Sequence, residues 1–384
     1  LVITLYTYPY VYLTTRAALL SFDTTLLEAA RTLNHGRLAA FRRVTLPTIR
    51  PAIAAGSLLA ALYAVSDFGT PSIMRLPVFT RQIYVEYNAF GRDYAALLSL
   101  QLLVVVVLVL ALEWAVRSDR ETSGDDAGRT DDRVSLGRWR WPATLLPAGV
   151  SAFALLVPLW ILGLWLVNSE AGRRPSLAFE PIQVLNSVSV SAAAAVVAAL
   201  AAIPIAYFAA NHDSPLAVVF ERATYVGFAV PGIVLALALV YFGSGYAPWI
   251  YQTLPLLIFA YVVRFLPQAV GSTRTSILQV DRRLVEAGRT LGESPTGAFR
   301  RVTFPLTRSG IVAGAALVFL TTMKELPVTL VLRPSGFDTI VTQIWRAQST
   351  ALYQYAVVPT LILLLISGLS MVVILTQEGG EEGL

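Results

Sequence analysis

Asp281–Pro305 reads DRRLVEAGRTLGESPTGAFRRVTFP, and 258 positions earlier Asp23–Pro47 reads DTTLLEAARTLNHGRLAAFRRVTLP. The two stretches align without a gap. Glu28 matches Glu286, Arg31-Thr32-Leu33 matches Arg289-Thr290-Leu291, Phe41 to Thr45 repeats as Phe299 to Thr303, and Pro47 matches Pro305. Each stretch is polar and basic, and each is flanked by long apolar runs. Two such segments in one chain point to two equivalent docking surfaces.

Everything around these segments is greasy. Of 384 residues, 56% are apolar and 14% charged, against roughly a quarter charged in soluble domains. Several apolar runs are long enough to cross a bilayer, so the fold class is an all-α polytopic membrane protein. The chain has no cysteine and only two histidines, His35 and His212, so thiolate sites and paired-histidine metal sites are excluded. No metal site and no cofactor are expected. Lys324 is the only lysine and Glu325 follows it. A phosphate-cradling Gly-Lys-Ser/Thr loop therefore cannot form, and nucleotide energy would have to come from another subunit. The net charge of +5 comes from arginines scattered at span ends, which mark topology and not a nucleic-acid surface.

Taken in order, residues 1–13 resemble the tail of a span, and the first basic segment follows. Spans read at about 50–66, 95–116, 142–167, 183–210, 217–242, 249–268, 308–323 and 356–376. Residues 117–140 carry six arginines against six acids and read as a solvated linker. Six spans separate the two basic segments. Because six is even, both segments face one side, and the repeat is parallel about an axis along the membrane normal. The clustered arginines put that side in the cytoplasm. The match runs further: Pro9 aligns with Pro267, and, past a three-residue insertion, Gln82-Ile83-Tyr84 aligns with Gln343-Ile344-Trp345. The expected organisation is the C-terminal part of a first repeat (1–117), a linker (118–141) and a complete six-span second repeat (142–384). That makes about eight full spans plus a partial N-terminal one. Residues 142–258 have no counterparts ahead of residue 1, so an incomplete first repeat is expected.

Within the second copy, Asp281 is placed to cap a helix whose stripe is Leu284, Val285, Gly288 and Leu291. Gly292 ends that helix, and Ser294-Pro295 starts another. At Asn34 the first copy carries the next-best residue for a left-handed turn. Both copies resemble the E-A-A loop of permease subunits in binding-protein-dependent ABC importers, through Glu28-Ala29-Ala30 with Leu46-Pro47, and Glu286-Ala287-Gly288 with Gly292 and Phe304-Pro305. Asn34 in place of the turn glycine and Gly288 in place of the third alanine are departures from that pattern.

The resemblance implies a type I ABC importer transmembrane domain in the plasma (cytoplasmic) membrane, the inner membrane where an outer one exists. Glu28, Ala29, Ala30, Asn34, Glu286, Ala287, Gly288 and Gly292 would couple to two cytoplasmic ATP-binding subunits. ATP would be bound by those partners, and an extracytoplasmic solute-binding protein would deliver cargo. The segment Lys324–Trp345 resembles the ferric-iron type, with thiamine, phosphonate and polyamine importers as near relatives.

Asp67 and Glu325 are equivalent residues at matching span ends. With Lys324 they are the candidates for the translocation path, since a hard cation prefers oxygen ligands. The competing expectation keeps both carboxylates in water, with Lys324 partly neutralising Glu325. Arg264, placed near the end of its span, is expected to snorkel, and Tyr241, Trp249 and Tyr251 form an interfacial belt. An ion-gradient-driven secondary transporter is the alternative class. It needs mid-span carboxylates, where this chain has mostly Ala, Val, Leu and Ile.

Overall fold

The computed structural model describes residues 2–20, 22, 36–118, 137–167, 179–212 and 214–379, and all regular structure among them is helical. The chain divides into two compact units, Leu1–Leu159 and Trp160–Leu384. The first contains α1 (Val2–Leu20), α2 (Arg37–Ala40), a π-helical turn at Phe41–Thr45, α3 (Leu46–Ser66), α4 (Gly69–Ile73), α5 (Phe79–Asn88) and α6 (Arg92–Ser118). The division falls inside α7 (Arg140–Val167). The second unit continues with α8 (Pro181–Asn211), α9 (Pro215–Ala229), α10 (Gly232–Tyr246), α11 (Leu254–Leu278), α12 (Arg282–Thr290) and α13 (Pro295–Ala298). After a π turn at Phe299–Thr303 come α14 (Phe304–Met323), α15 (Pro327–Leu332), α16 (Ile340–Ser349) and α17 (Val357–Gly379).

The repeat survives as architecture. Each FRRVT segment is a π turn leading into a long helix, and π turns concentrate at functional positions. In the first unit α1 packs on α3, and in the second α11 packs on α14. Both crossings turn on a glycine. A Cβ on Gly56 would lie 2.7 Å from the Val11 Cα, and one on Gly314 would lie 3.0 Å from the Ala269 Cα. Val11 and Ala269 are themselves 258 positions apart. Small residues allow such backbone approach where lipid provides no hydrophobic drive. The same logic shapes α8, whose buried stripe includes Ser187, Ser191, Ala194, Ala198 and Ala202 and packs on α11 and α14. Large side chains such as Leu108, Leu365 and Leu369 point outward, as a lipid-facing surface requires.

Among the described residues seven helices are long and apolar enough to span a membrane, and most of the expected spans fall where the sequence puts them. Two do not. The single span expected at 217–242 is a pair, α9 and α10, bent by 101°. Pro231 has no N–H to donate and pushes Val230 out of the helical region, to φ −69 and ψ 128. Counted as one crossing, the pair brings the total among the described residues to eight. The span expected at 249–268 extends to Leu278 as α11. Its polar last turns stay helical because they pack on neighbours: the Ser272 hydroxyl donates to the Gly310 carbonyl at 2.8 Å, and Arg274 meets Glu221 at 3.6 Å.

Candidate functional site: a basic elbow and two carboxylate stations

The elbow of the second unit is built by its caps. The Asp281 carboxylate accepts from the Arg283 amide at 2.9 Å and starts α12. The helix closes with the Gly292 amide donating to the Arg289 carbonyl and the Glu293 amide to the Gly288 carbonyl, at 3.0 and 3.2 Å. Gly292 has φ +91, the left-handed geometry of a Schellman end. Ser294 then accepts from the Gly297 amide at 3.1 Å to start α13. Glu293 pairs with Arg301, and the Phe299 ring meets Tyr207 of α8 edge-on at 5.1 Å. These contacts fix the turn from α12 through α13 into the π turn.

Nothing on α12 is buried. Leu284 is 50% exposed and Leu291 86%, while Val285 and Gly288 are half-buried, so the expected stripe forms and is only partly covered within the unit. Glu286, Arg282 and Arg289 border a cleft that also touches Tyr207, Asn211, His212 and Thr303. A Cβ on Gly288 would rest 3.5 Å from Val302, an ordinary contact, so the alanine of the E-A-A pattern would also fit there. Glu28, Ala29, Ala30 and Asn34 lie outside the described residues.

The second group of candidates sits at the far ends of α3 and α14. The Tyr6 hydroxyl donates to Asp67 Oδ2 at 2.8 Å, and the Gly69 amide donates to Oδ1 at 3.2 Å. The Thr80 hydroxyl donates to the Asp67 carbonyl at 2.7 Å. At the equivalent position, Glu325 Oε2 lies 3.4 Å from Arg264 Nε, and its Oε1 accepts from the Val328 amide at 3.3 Å. Tyr6 and Arg264 are themselves repeat equivalents. Each unit therefore places a donor on one long helix (α1, α11) against a carboxylate just past the end of the long helix it packs on (α3, α14).

Two expectations are corrected here. Glu325 is 7% exposed and paired, so it is not a helix-end residue in water neutralised by its neighbour. Arg264 does not snorkel: α11 continues well past it, and burial against Glu325 offsets the cost of holding its charge. The 258-residue offset, extended from the carboxylates to Tyr6 and Arg264, was the signal for both. Lys324 is exposed at the end of α14, and desolvation by the crowded helix ends still lowers its ammonium from the ordinary value. The loop beyond is firmly built: Asp338 accepts from Arg333 and Arg346, the latter at 2.7 Å, ahead of the capped helix α16. Among the described residues no group of three or more His, Cys, Asp or Glu could hold a metal. Trp249 is 81% exposed and Tyr241 41%, in keeping with an interfacial belt.

The family model for the inner membrane component of binding-protein-dependent transport systems matches residues 1–118 and 202–377. The chain belongs to that family. This permease is 32% identical over 374 residues to the Fe(3+)-transport system permease protein FbpB 2 of Haemophilus influenzae, covering 96% of this chain and 74% of that one. It is 25% identical to the probable ABC transporter permease protein y4fN of Sinorhizobium fredii over 96% of this chain and 69% of that one. A ferric transport system permease protein FbpB from Actinobacillus pleuropneumoniae is 24% identical over 80% of this chain and 47% of that one. Among solved structures, a bacterial ABC transporter that imports alginate has a chain that aligns with TM-score 0.45 and 16% identity, covering 64% of this permease and 96% of that chain. The permease is thus a multi-pass inner membrane component of a binding-protein-dependent importer.

Proposed function

We propose that this permease is the membrane-spanning subunit of an ATP-driven importer of ferric iron. Two cytoplasmic ATP-binding subunits supply the energy, and an extracytoplasmic binding protein delivers the cargo. The observation that carries the reading is α12: a nine-residue amphipathic helix with no buried residue, capped at both ends, held by the elbow and with Leu284 and Leu291 left exposed. Its first-repeat equivalent has the same sequence frame and leads into the same π turn. In this reading Glu286, Ala287, Gly288 and Gly292, and by repetition Glu28, Ala29, Ala30 and Asn34, meet the ATP-binding subunits. ATP is bound by those subunits, and the permease itself carries no cofactor. Family membership sets aside the ion-gradient alternative, and Glu325 is already paired with Arg264.

The choice of ferric iron rests on the nearly full-length similarity to a permease named for Fe(3+) transport. Asp67, Lys324 and Glu325 are assigned to the end of the path that receives the cargo. The test is ATP hydrolysis by the complete permease reconstituted with its ATP-binding subunits, stimulated by a binding protein loaded with ferric iron or with thiamine. Stimulation by the iron-loaded protein alone supports the assignment. Stimulation by thiamine alone keeps the architecture and replaces the cargo.

A further inference from the structure

The Arg264–Glu325 pair does more than join two side chains. Arg264, in the middle of α11, donates through Nη1 to the Val230 carbonyl at 3.3 Å, a carbonyl at the break between α9 and α10. Glu325, between α14 and α15, accepts from the Val328 amide that opens α15. Gly232, the first residue of α10, lies against both: a Cβ there would be 2.5 Å from Arg264 Nη1 and 2.8 Å from Glu325 Oε1. α10 in turn packs on α15. One ion pair thus ties the bend of a broken span to the loop segment that begins at Lys324.

The tie is not the strongest these groups could make. Arg264 Nε approaches Glu325 at 3.4 Å, yet no aligned hydrogen bond satisfies that N–H. Two buried hydroxyls without a partner, Ser191 and Thr322, line the cleft around Glu325, so the carboxylate has other donors within its cleft. The first unit shows that the fold does not need a charge here. Tyr6 fills the position of Arg264, and a neutral hydroxyl holds Asp67. A buried pair that is imperfectly made, has unpartnered donors in its cleft and is replaced by a neutral donor at the equivalent position suits a contact that opens and closes.

We propose that Arg264 and Glu325 form a releasable latch that holds the α9–α10 bend against α15 in one state of the transport cycle and lets go in another. The proposal rests on the importer reading for what drives the release, but not for the latch itself. Both residues are positioning residues: they act on α10 and α15, and neither is assigned a contact with cargo.

The test uses spin labels at Tyr246→Cys on α10 and Ser349→Cys on α16, in a complete permease that offers no cysteine within this chain. Both positions are exposed. Without nucleotide, the labelled parent should give one distance. Arg264→Gln, Glu325→Gln and Gly232→Ala should each add a second, discrete distance in roughly a third or more of the molecules, the shift expected when one of two states loses its tie. Gly232→Ala keeps both charges and displaces them, so it decides alone if a charge deletion fails to give protein. An unchanged single distance in the variants, or a continuous smear in place of a second one, overturns the latch. Adding the ATP-binding subunits and ATP to the parent is a separate arm. If the variants split while ATP leaves the parent unmoved, the importer reading fails and the latch stands.

Discussion

Gly56 and Gly314 hold equivalent crossings, and a Cβ at either would crowd backbone that cannot swing away: Val11 Cα and the Tyr10 carbonyl, besides the Thr14 hydroxyl, for Gly56, and Ala269 for Gly314. Alanine at either position must push two helices apart, and overpacking of this kind costs about 1–3 kcal/mol. Thermal unfolding in detergent should therefore give a lower Tm for Gly56→Ala and Gly314→Ala. Glu286 should behave in the opposite way. It is exposed on a helix with nothing buried, so Glu286→Gln should leave stability within about 0.5 kcal/mol. Stimulation of ATP hydrolysis by the loaded binding protein should fall about 5-fold or more, the low end of usual coupling energies. The Asp67 carboxylate accepts from the Tyr6 hydroxyl and the Gly69 amide. Asp67→Asn should lower iron uptake several-fold at equal assembly, and unchanged uptake would leave Asp67 a helix-end residue. Residue roles of this sort were half legible in the sequence. The 258-residue offset identified Asp67 with Glu325, but their partners depend on which helix faces which, and hydropathy does not encode that.

The elements divide in the same way. Asp281, Gly292 and Ser294 were readable as caps because capping is local: a side chain or a free φ acts within a few residues of itself. The elbow they make is correspondingly sensitive. Gly292→Ala forces a Cβ into φ +91 at a cost of about 1–2 kcal/mol, and Ser294→Ala removes a cap worth about 1 kcal/mol. Hydrogen exchange should show faster opening of α12 in the first variant and of the α13 turn in the second, with α14 unchanged. The bent pair α9–α10 was not legible. Both arms are apolar, so the window that finds a span cannot distinguish one straight helix from two at 101°. A proline such as Pro231 interrupts a helix but does not fix the angle of the break. The length of α11 was missed for the converse reason. Ser272, Thr273, Arg274 and Thr275 look like a loop in isolation, and only packing against α9 and α14 keeps them helical.

At the scale of the molecule, the duplicated segment decided most of what could be decided. It identified the repeat and carried the resemblance that family membership then supports. What composition left open was how each unit finishes the end remote from its elbow. There the first uses a tyrosine hydroxyl and the second a buried ion pair, so two copies of one architecture have come to differ in charge. The central claim remains that the elbows are where the permease meets its ATP-binding subunits. It is tested most directly by cross-linking from Leu284→Cys, which is exposed on α12, and from its repeat equivalent Leu26→Cys, in the assembled transporter. Each should capture an ATP-binding subunit, with a yield that changes when ATP is added. A complex that hydrolyses ATP in response to its binding protein, yet gives no cross-link from either position, would contradict it.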